Sequence, residues 1–298
     1  MKTYISKQGI GSVLFDIFNF ILQISLILLC LYPFYYLLIY SLSDPSEVSR
    51  GIYLLPRGFT LENYTQVLKL PGIFRAVLIS TSRTIVGTIF SVVGCMLYAY
   101  ILTKKELPFR KIIYRMTIIT MYVGGGLIPT YIVLKSYGFI NSFWVYVIPG
   151  AISAFNVVLC KTYIEQLPEV LEESAMIDGA GYFTRFLKIV MPLSKSIAAT
   201  IALFAAVAQW NSWFDNYLYV FKSELSTLQY ILYMYLTQVQ NALKQLQESS
   251  LASMSNVVLT PESVRVTVTM LVTIPIILVY PFVQKHFVKG IMIGAVKG

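Results

Sequence analysis

Apolar residues along this chain gather in runs of about twenty, the length that crosses the hydrocarbon core of a bilayer. Six runs stand out: Ile17–Tyr40, Ala76–Leu102, Ile112–Leu134, Phe143–Ile164, Ile197–Phe221 and Val264–Gln284. At about 1.5 Å per residue, each reaches across a core roughly 30 Å thick. Gly124-Gly125-Gly126 and Pro129 interrupt the third run, and Pro149-Gly150 interrupts the fourth. Such breaks persist in a membrane only where protein or a cavity satisfies the freed backbone groups. The pattern predicts an all-α polytopic membrane protein with about six transmembrane helices, a single transmembrane domain over residues 1–298.

Composition supports this reading. Charged residues are 12% of the chain and hydrophobic residues 57%, whereas a soluble domain carries roughly 25% charged residues to wet its surface. The net charge of +9 does not point to nucleic acid, because the basic residues form no single stripe and fall between the apolar runs. Cys30, Cys95 and Cys160 lie in separate apolar runs with no CxxC spacing, so they read as packing residues. No small-residue cleavage site follows the first run, which reads as a retained helix.

Six crossings place both termini on one side. That side receives fourteen of the 23 Lys and Arg residues: Lys2, Lys7, Lys104, Lys105, Arg110, Lys111, Arg115, Lys161, Arg185, Lys188, Lys195, Lys285, Lys289 and Lys297. The other side receives eight: Arg50, Arg57, Lys69, Arg75, Lys135, Lys222, Lys244 and Arg265. The richer side is the cytoplasmic one by the positive-inside rule. The expected segments are then a first outer loop at 41–75, a cytoplasmic loop at 161–196, a long outer loop at 222–262 and a cytoplasmic tail at 285–298. In the long outer loop, Leu228–Leu236 is apolar and aromatic and Asn241–Ser249 continues as a polar helix, so short surface helices are expected there.

The cytoplasmic loop carries the most specific pattern. Pro168 suits a helix start, and Glu169, Glu172 and Glu173 favour its first turns. Asp178-Gly179 stops that helix. A second amphipathic helix follows, with Phe183, Phe186, Leu187 and Val190 on one face, and Pro192 ends it. Glu173-Ser174-Ala175, Asp178-Gly179-Ala180 and Ile189-Val190-Met191-Pro192-Leu193 together resemble the EAA loop of binding-protein-dependent ABC importer permeases. Ser174 stands in place of Ala and Met191 in place of Leu. Tyr32-Pro33, Ser41–Pro45 and Pro56–Tyr64 are similar to the carbohydrate-uptake branch, which contains the maltose permease subunits. Trp210–Phe214 and Phe287–Gly290 resemble a sub-branch that handles complex oligosaccharides.

The resemblance implies a type I ABC importer permease with a cytoplasmic coupling helix. Glu173, Ser174, Ala175, Asp178, Gly179 and Ala180 would couple it to a separate ATPase. It implies two ATPase subunits, a second and non-identical permease, an extracellular or periplasmic sugar-binding protein and an oligosaccharide substrate. ATP and Mg would belong to the ATPase, with no cofactor or metal in this chain, and the location would be the bacterial cytoplasmic membrane. A permease for another polar solute, or a self-sufficient secondary transporter, are the alternatives. The second does not account for the loop, and no inverted repeat is visible. Neither a GxxxxGK[ST] loop nor an HExxH or GxSxG motif occurs, which argues against enzyme chemistry in this chain.

Within the spans, Arg83 is a charge at an apolar depth, and Asp215 lies at a similar depth near the outer end of the fifth run. They form a candidate buried ion pair, either structural or part of a gate, since a lone charge there is costly. Gln209, Trp210, Asn211 and Trp213 combine aromatic faces with amides, as a sugar surface needs, although helix packing uses the same residues. Asp215 and Asn156 complete the candidates for the substrate path, and His286 reads as interfacial. The topology predicts that, in intact cells, an impermeant thiol reagent labels a Ser226→Cys variant and leaves a Lys105→Cys variant unlabelled. The converse pattern would reverse the orientation.

Overall fold

A computed structural model describes residues 10–48, 51, 54–237 and 262–278, and every regular element among these is helical. In chain order the helices are α1 (Ile10–Ser41), α2 (Pro45–Val48), α3 (Glu62–Lys69), α4 (Ile73–Thr103), α5 (Arg110–Ile119), α6 (Leu127–Ser136) and α7 (Ala154–Ile164). They continue as α8 (Glu169–Ile177), α9 (Tyr182–Leu193), α10 (Lys195–Asn211) and α11 (Phe214–Tyr219). The last two are α12 (228–237) and α13 (262–278). Short 3₁₀ turns stand at Phe143–Tyr146 and Ser223–Leu225.

The six apolar runs map onto these helices unequally. Gly11–Ser41 and Ile73–Thr103 are each long and apolar enough to cross a bilayer, and Tyr182–Leu193 with Lys195–Asn211 pass the same test as a pair bent by 84°. The third run is not one helix. It is α5 and α6 with an irregular stretch through Gly124-Gly125-Gly126 between them. The fourth is a 3₁₀ turn followed by α7, because Pro149 has no N–H to donate and disfavours helix at Ile148. The fifth stops at Asn211 and resumes at Phe214, so Asp215 sits on a separate short helix. The sixth is seen to residue 278, and its end lies outside the described residues. So do Lys2, Lys7, Arg50, Lys244, Lys285, Lys289, Lys297, His286, the Asn241–Ser249 segment and the Phe287–Gly290 tail.

The chain divides into two compact units, Met1–Lys69 with Val239–Leu271, and Leu70–Gln238 with Val272–Gly298. In the first, α1 is a long apolar rod carrying a ladder of Tyr32, Tyr36 and Tyr40 at helical spacing. Ile39, Tyr40 and Val266 form its small buried core. The chain then turns sharply by polar anchoring. Asp44 starts α2 by accepting from the Ser46 N–H at 2.8 Å, and the Ser46 hydroxyl at 2.6 Å, with that N–H, holds its carboxyl below the usual carboxylate range. Thr60 accepts from the Glu62 N–H at 3.0 Å ahead of α3. The buried Asn63 amide donates to the carbonyls of Ser41 and Ser43 at 3.0 and 2.8 Å, tying α3 to the end of α1.

The second unit is built on α4. Ala76, Ser80, Arg83, Gly87, Ser91, Cys95 and Ala99 recur at three- or four-residue intervals and are all buried. All but Arg83 are small, so neighbouring backbones approach closely, as packing inside a membrane requires. Helix α10 packs most extensively on this stripe and α7 follows. One core gathers Cys95, Met96, Tyr100, Val157, Cys160, Phe186, Val190 and Ile201. A second gathers Leu134, Val145, Tyr146, Val147 and Val220. All three cysteines are free, Cys95 and Cys160 buried and Cys30 exposed.

Asn63→Ala removes both anchors and leaves two carbonyls without that donor. It should cost about 2 kcal/mol, read as a lower temperature at which the detergent-purified complex loses its monodisperse peak. An unchanged temperature would show that the turn is held by other contacts.

Candidate functional site

Two polar assemblies stand at different levels of α4. The first is centred on Arg83, which is only 2% exposed. Its guanidinium has five N–H donors, and all five are used. Nε and Nη2 donate to Gln209 Oε1 at 3.1 and 3.0 Å. Nη1 donates to the Ser212 carbonyl and to Asp215 Oδ1, both at 3.2 Å, and Nη2 donates to Asp215 Oδ2 at 2.5 Å. The guanidinium also lies 4.4 Å from the centroid of the Tyr146 ring. A fork facing a carboxylate suits arginine, which stays charged at any working pH.

The break between α10 and α11 explains this arrangement. At Ser212 the backbone turns extended, with ψ 124°, and the helical ladder stops. Arg83 satisfies the carbonyl freed there, as an interrupted span requires. Gln209, one turn earlier, donates to the Tyr146 carbonyl at 3.0 Å while accepting from Arg83. Its side chain crosses α4 at Gly87, where a Cβ atom would fall 2.7 Å from the amide. A larger residue at that position would push the Gln209 amide away from Arg83 and the Tyr146 carbonyl.

Below this knot lies a cavity of about 340 Å³ lined by Ser91, Ser153, Asn156, Phe155, Phe204 and Gln209, among others. Its lining is neutral, mixing hydroxyl and amide groups with two aromatic rings 6.4 Å apart. Of the residues singled out for a substrate path, the cavity brings together Gln209 and Asn156. Trp210 donates through Nε1 to the Val272 carbonyl at 3.0 Å. Asn211 is exposed and accepts from Gln229 at 3.1 Å. Trp213 lies beyond the helix break and stacks on Tyr233 with ring centroids 4.0 Å apart. Gly87, Tyr146 and the Ser212 carbonyl carry no charge pattern, and only the oddity of Arg83 in an apolar run signals them.

The second assembly joins the other end of α4 to the loop of α8 and α9. Helix α8 starts after Pro168 and ends at Asp178, where Gly179 adopts φ +80°. Glycine alone takes that left-handed conformation without strain. The Ala180 N–H closes the turn on the Ala175 carbonyl at 2.9 Å. Glu173, Ser174, Asp178 and Gly179 are exposed, Ala175 and Ala180 half-buried, and Ile177 stands 85% exposed at the tip. In α9, Phe186 and Val190 are buried, whereas Phe183 and Leu187 are exposed, so the four do not share one face. The π-helical turn Phe186–Val190 advances fewer degrees per residue than an α-helix and splits them into two rows.

Glu172, the residue before the resembled Glu-Ser-Ala triplet, is the partner that pattern reading passed over. Its Oε2 accepts from Lys104 Nζ at 2.5 Å and from the Tyr100 hydroxyl at 3.0 Å, with Arg185 Nη1 at 3.9 Å. The available signal was two lysines ending one span opposite two glutamates opening the loop. The second such pair, Lys105 with Glu169, is exposed at 3.1 Å.

The long apolar helices and the small-residue stripe of α4 define an integral membrane bundle, and sequence comparison says of which kind. The chain belongs to the family of binding-protein-dependent transport system inner membrane components, whose model matches residues 90–293. That family consists of permease subunits of ABC transporters. The chain is 37% identical to protein LplC of Bacillus subtilis, over 95% of each chain. It is also 37% identical to the polygalacturonan/rhamnogalacturonan transport system permease protein YtcP of the same organism, over 96% of this chain and 99% of the relative. The structure matches a bacterial ABC transporter involved in the import of the acidic polysaccharide alginate, with TM-score 0.83 and 27% identity, over 94% of this chain and 99% of that one.

Removing one member of the Arg83–Asp215 pair strands a charge, at a cost of about 2.5–3.5 kcal/mol on insertion scales. The losses of membrane yield in Arg83→Leu and Asp215→Leu should therefore combine in the double variant to clearly less than their sum, read as a double-mutant cycle. A double variant as impaired as the sum of the singles would mean that the two side chains act independently.

Proposed function

We propose that this chain is one of two non-identical permease subunits of an ATP-driven importer, which passes oligosaccharides delivered by an external binding protein. Family membership over residues 90–293 supports the transporter class, and the names of the relatives support a carbohydrate substrate. The observation that carries the coupling mechanism is the exposed two-helix loop with Ile177 at its tip. In this reading α8 docks in a groove of an ATPase subunit, with Glu173, Ser174, Ala175, Asp178, Gly179 and Ala180 at the contact. ATP and Mg bind in that partner.

The reading has six crossings with both termini cytoplasmic, the third, fourth and fifth being broken spans. The outer segments 41–75 and 222–262 face the binding protein, and 161–196 and 285–298 face the cytoplasm. Asn156 and Gln209 contribute amides to the substrate path, and the rings of Phe155 and Phe204 offer flat apolar faces to the C–H faces of sugars. Asp215 and Arg83 act there as a structural pair, because all the arginine's donors are spent on Asp215, Gln209 and the broken backbone. Trp210, Asn211 and Trp213 support the same region by packing.

Gly179→Pro tests the coupling contact. Proline holds φ near −65°, far from the observed +80°. The variant should insert and purify with the second permease, yet lose binding-protein-stimulated ATP hydrolysis by about tenfold or more, in the range of measured coupling between sites. Normal stimulation would remove α8 from the ATPase contact.

A further inference from the structure

We infer that Glu172 is a positioning residue, the joint that makes the α8–α9 loop move as one body with the end of α4. The inference rests on the importer reading and adds the route by which movement at the loop reaches the membrane helices. One carboxylate oxygen gathers three groups from two elements: the Tyr100 hydroxyl and Lys104 Nζ from the end of α4, and Arg185 from α9. The side chains of Glu172 and Lys104 are 20% and 18% exposed, and that of Arg185 only 8%. Charges withdrawn this far from water hold their geometry better than surface pairs, and breaking one strands its partners.

Apolar contacts brace the same joint. The Tyr100 ring lies 5.3 Å from that of Phe186, and Lys104 Nζ lies 4.0 Å above the Tyr100 ring. Arg185 stacks on Tyr182 at 4.4 Å, and its buried Nε has no hydrogen-bond partner among the described residues. Thus Arg185 is held by charge and stacking rather than by a saturated network. Glu173, one position on, is exposed and turned to a different side of α8. Adjacent glutamates divide the work: Glu173 faces outward for a partner, and Glu172 faces inward to α4.

The test uses the complete transporter, assembled with its second permease and ATPase. Cys30, Cys95 and Cys160 are replaced by serine or alanine, and Ser91→Cys is introduced as the reporter. Ser91 lies on α4 and lines the cavity. Its alkylation by N-ethylmaleimide is timed before and after trapping with ATP and vanadate. With Glu172 intact, trapping should change the rate by about fivefold or more, the lower end of typical coupling. Glu172→Gln and Lys104→Gln should reduce that change to less than about twofold while trapping the same amount of nucleotide. Lys104→Arg, which keeps the charge, should retain it.

A full rate change in both Gln variants overturns the joint and leaves the importer reading intact. Lost nucleotide trapping or lost ATPase co-purification in those variants also overturns it, because Glu172 would then serve docking or folding. A complex with Glu172 intact that traps nucleotide without any rate change does the same. A complex that traps no nucleotide at all overturns the importer reading, and the joint with it.

Discussion

The guanidinium of Arg83 permits the fifth apolar run to be broken. Without Arg83, the Ser212 carbonyl freed between α10 and α11 would lose its donor, and an unpaired carbonyl favours continuing the helix over breaking it. With it, the chain can turn, place Asp215 back against α4 and present Gln209 to Tyr146. Gly87 follows from the same need, because the amide of Gln209 crosses α4 there, within 2.7 Å of where a Cβ would stand.

Besides the exposed Arg75–Glu224 pair, α4 and its C-cap residue Lys104 therefore meet withdrawn charge at two levels. Arg83 and Lys104 are 21 positions apart in the sequence, which is roughly 30 Å along an α-helix. At each level a basic residue of α4 meets an acidic residue of another helix, Asp215 at one and Glu172 at the other. Between them α4 buries the small residues Gly87, Ser91, Cys95 and Ala99 together with Met96 and Leu102. A helix held at Arg83 and at its C-terminal end and closely packed between them has few ways to move there except as a rod, and packed membrane helices shift between discrete arrangements rather than bending continuously.

Hydropathy made α1 and α4 legible because each is an unbroken apolar run, and the turn at Gly179 was legible because Asp-Gly carries its own backbone preference. The breaks were visible as Gly and Pro, but not their outcome, since whether a span stops or continues depends on a donor elsewhere in the chain. Arg83 and Asp215 could be matched by depth, whereas Gln209 could not be read as the arginine's acceptor, because an amide suits sugar, packing or a cation equally. The aromatic cluster after Gln209 looked like one surface in the sequence. The break at Ser212 sends Trp213 to Tyr233 instead. The inward turn of Glu172 was hidden for a related reason: three glutamates in one turn look alike until helical phase separates them.

The π-helical turn at Phe186–Val190 bears on how this loop can change over evolutionary time. Such a turn holds one residue more than an α-helical turn, and one residue corresponds to about 100° of rotation around a helix. The azimuth at which α8 projects is thus set by residue count as well as by side-chain chemistry. Loss of a single codon here would restore a regular helix and swing the whole loop around its axis, leaving every contact residue in place in the sequence and pointing elsewhere in space. Substitutions along the loop can adjust affinity for a partner, but an insertion or deletion in this turn changes which direction the loop faces.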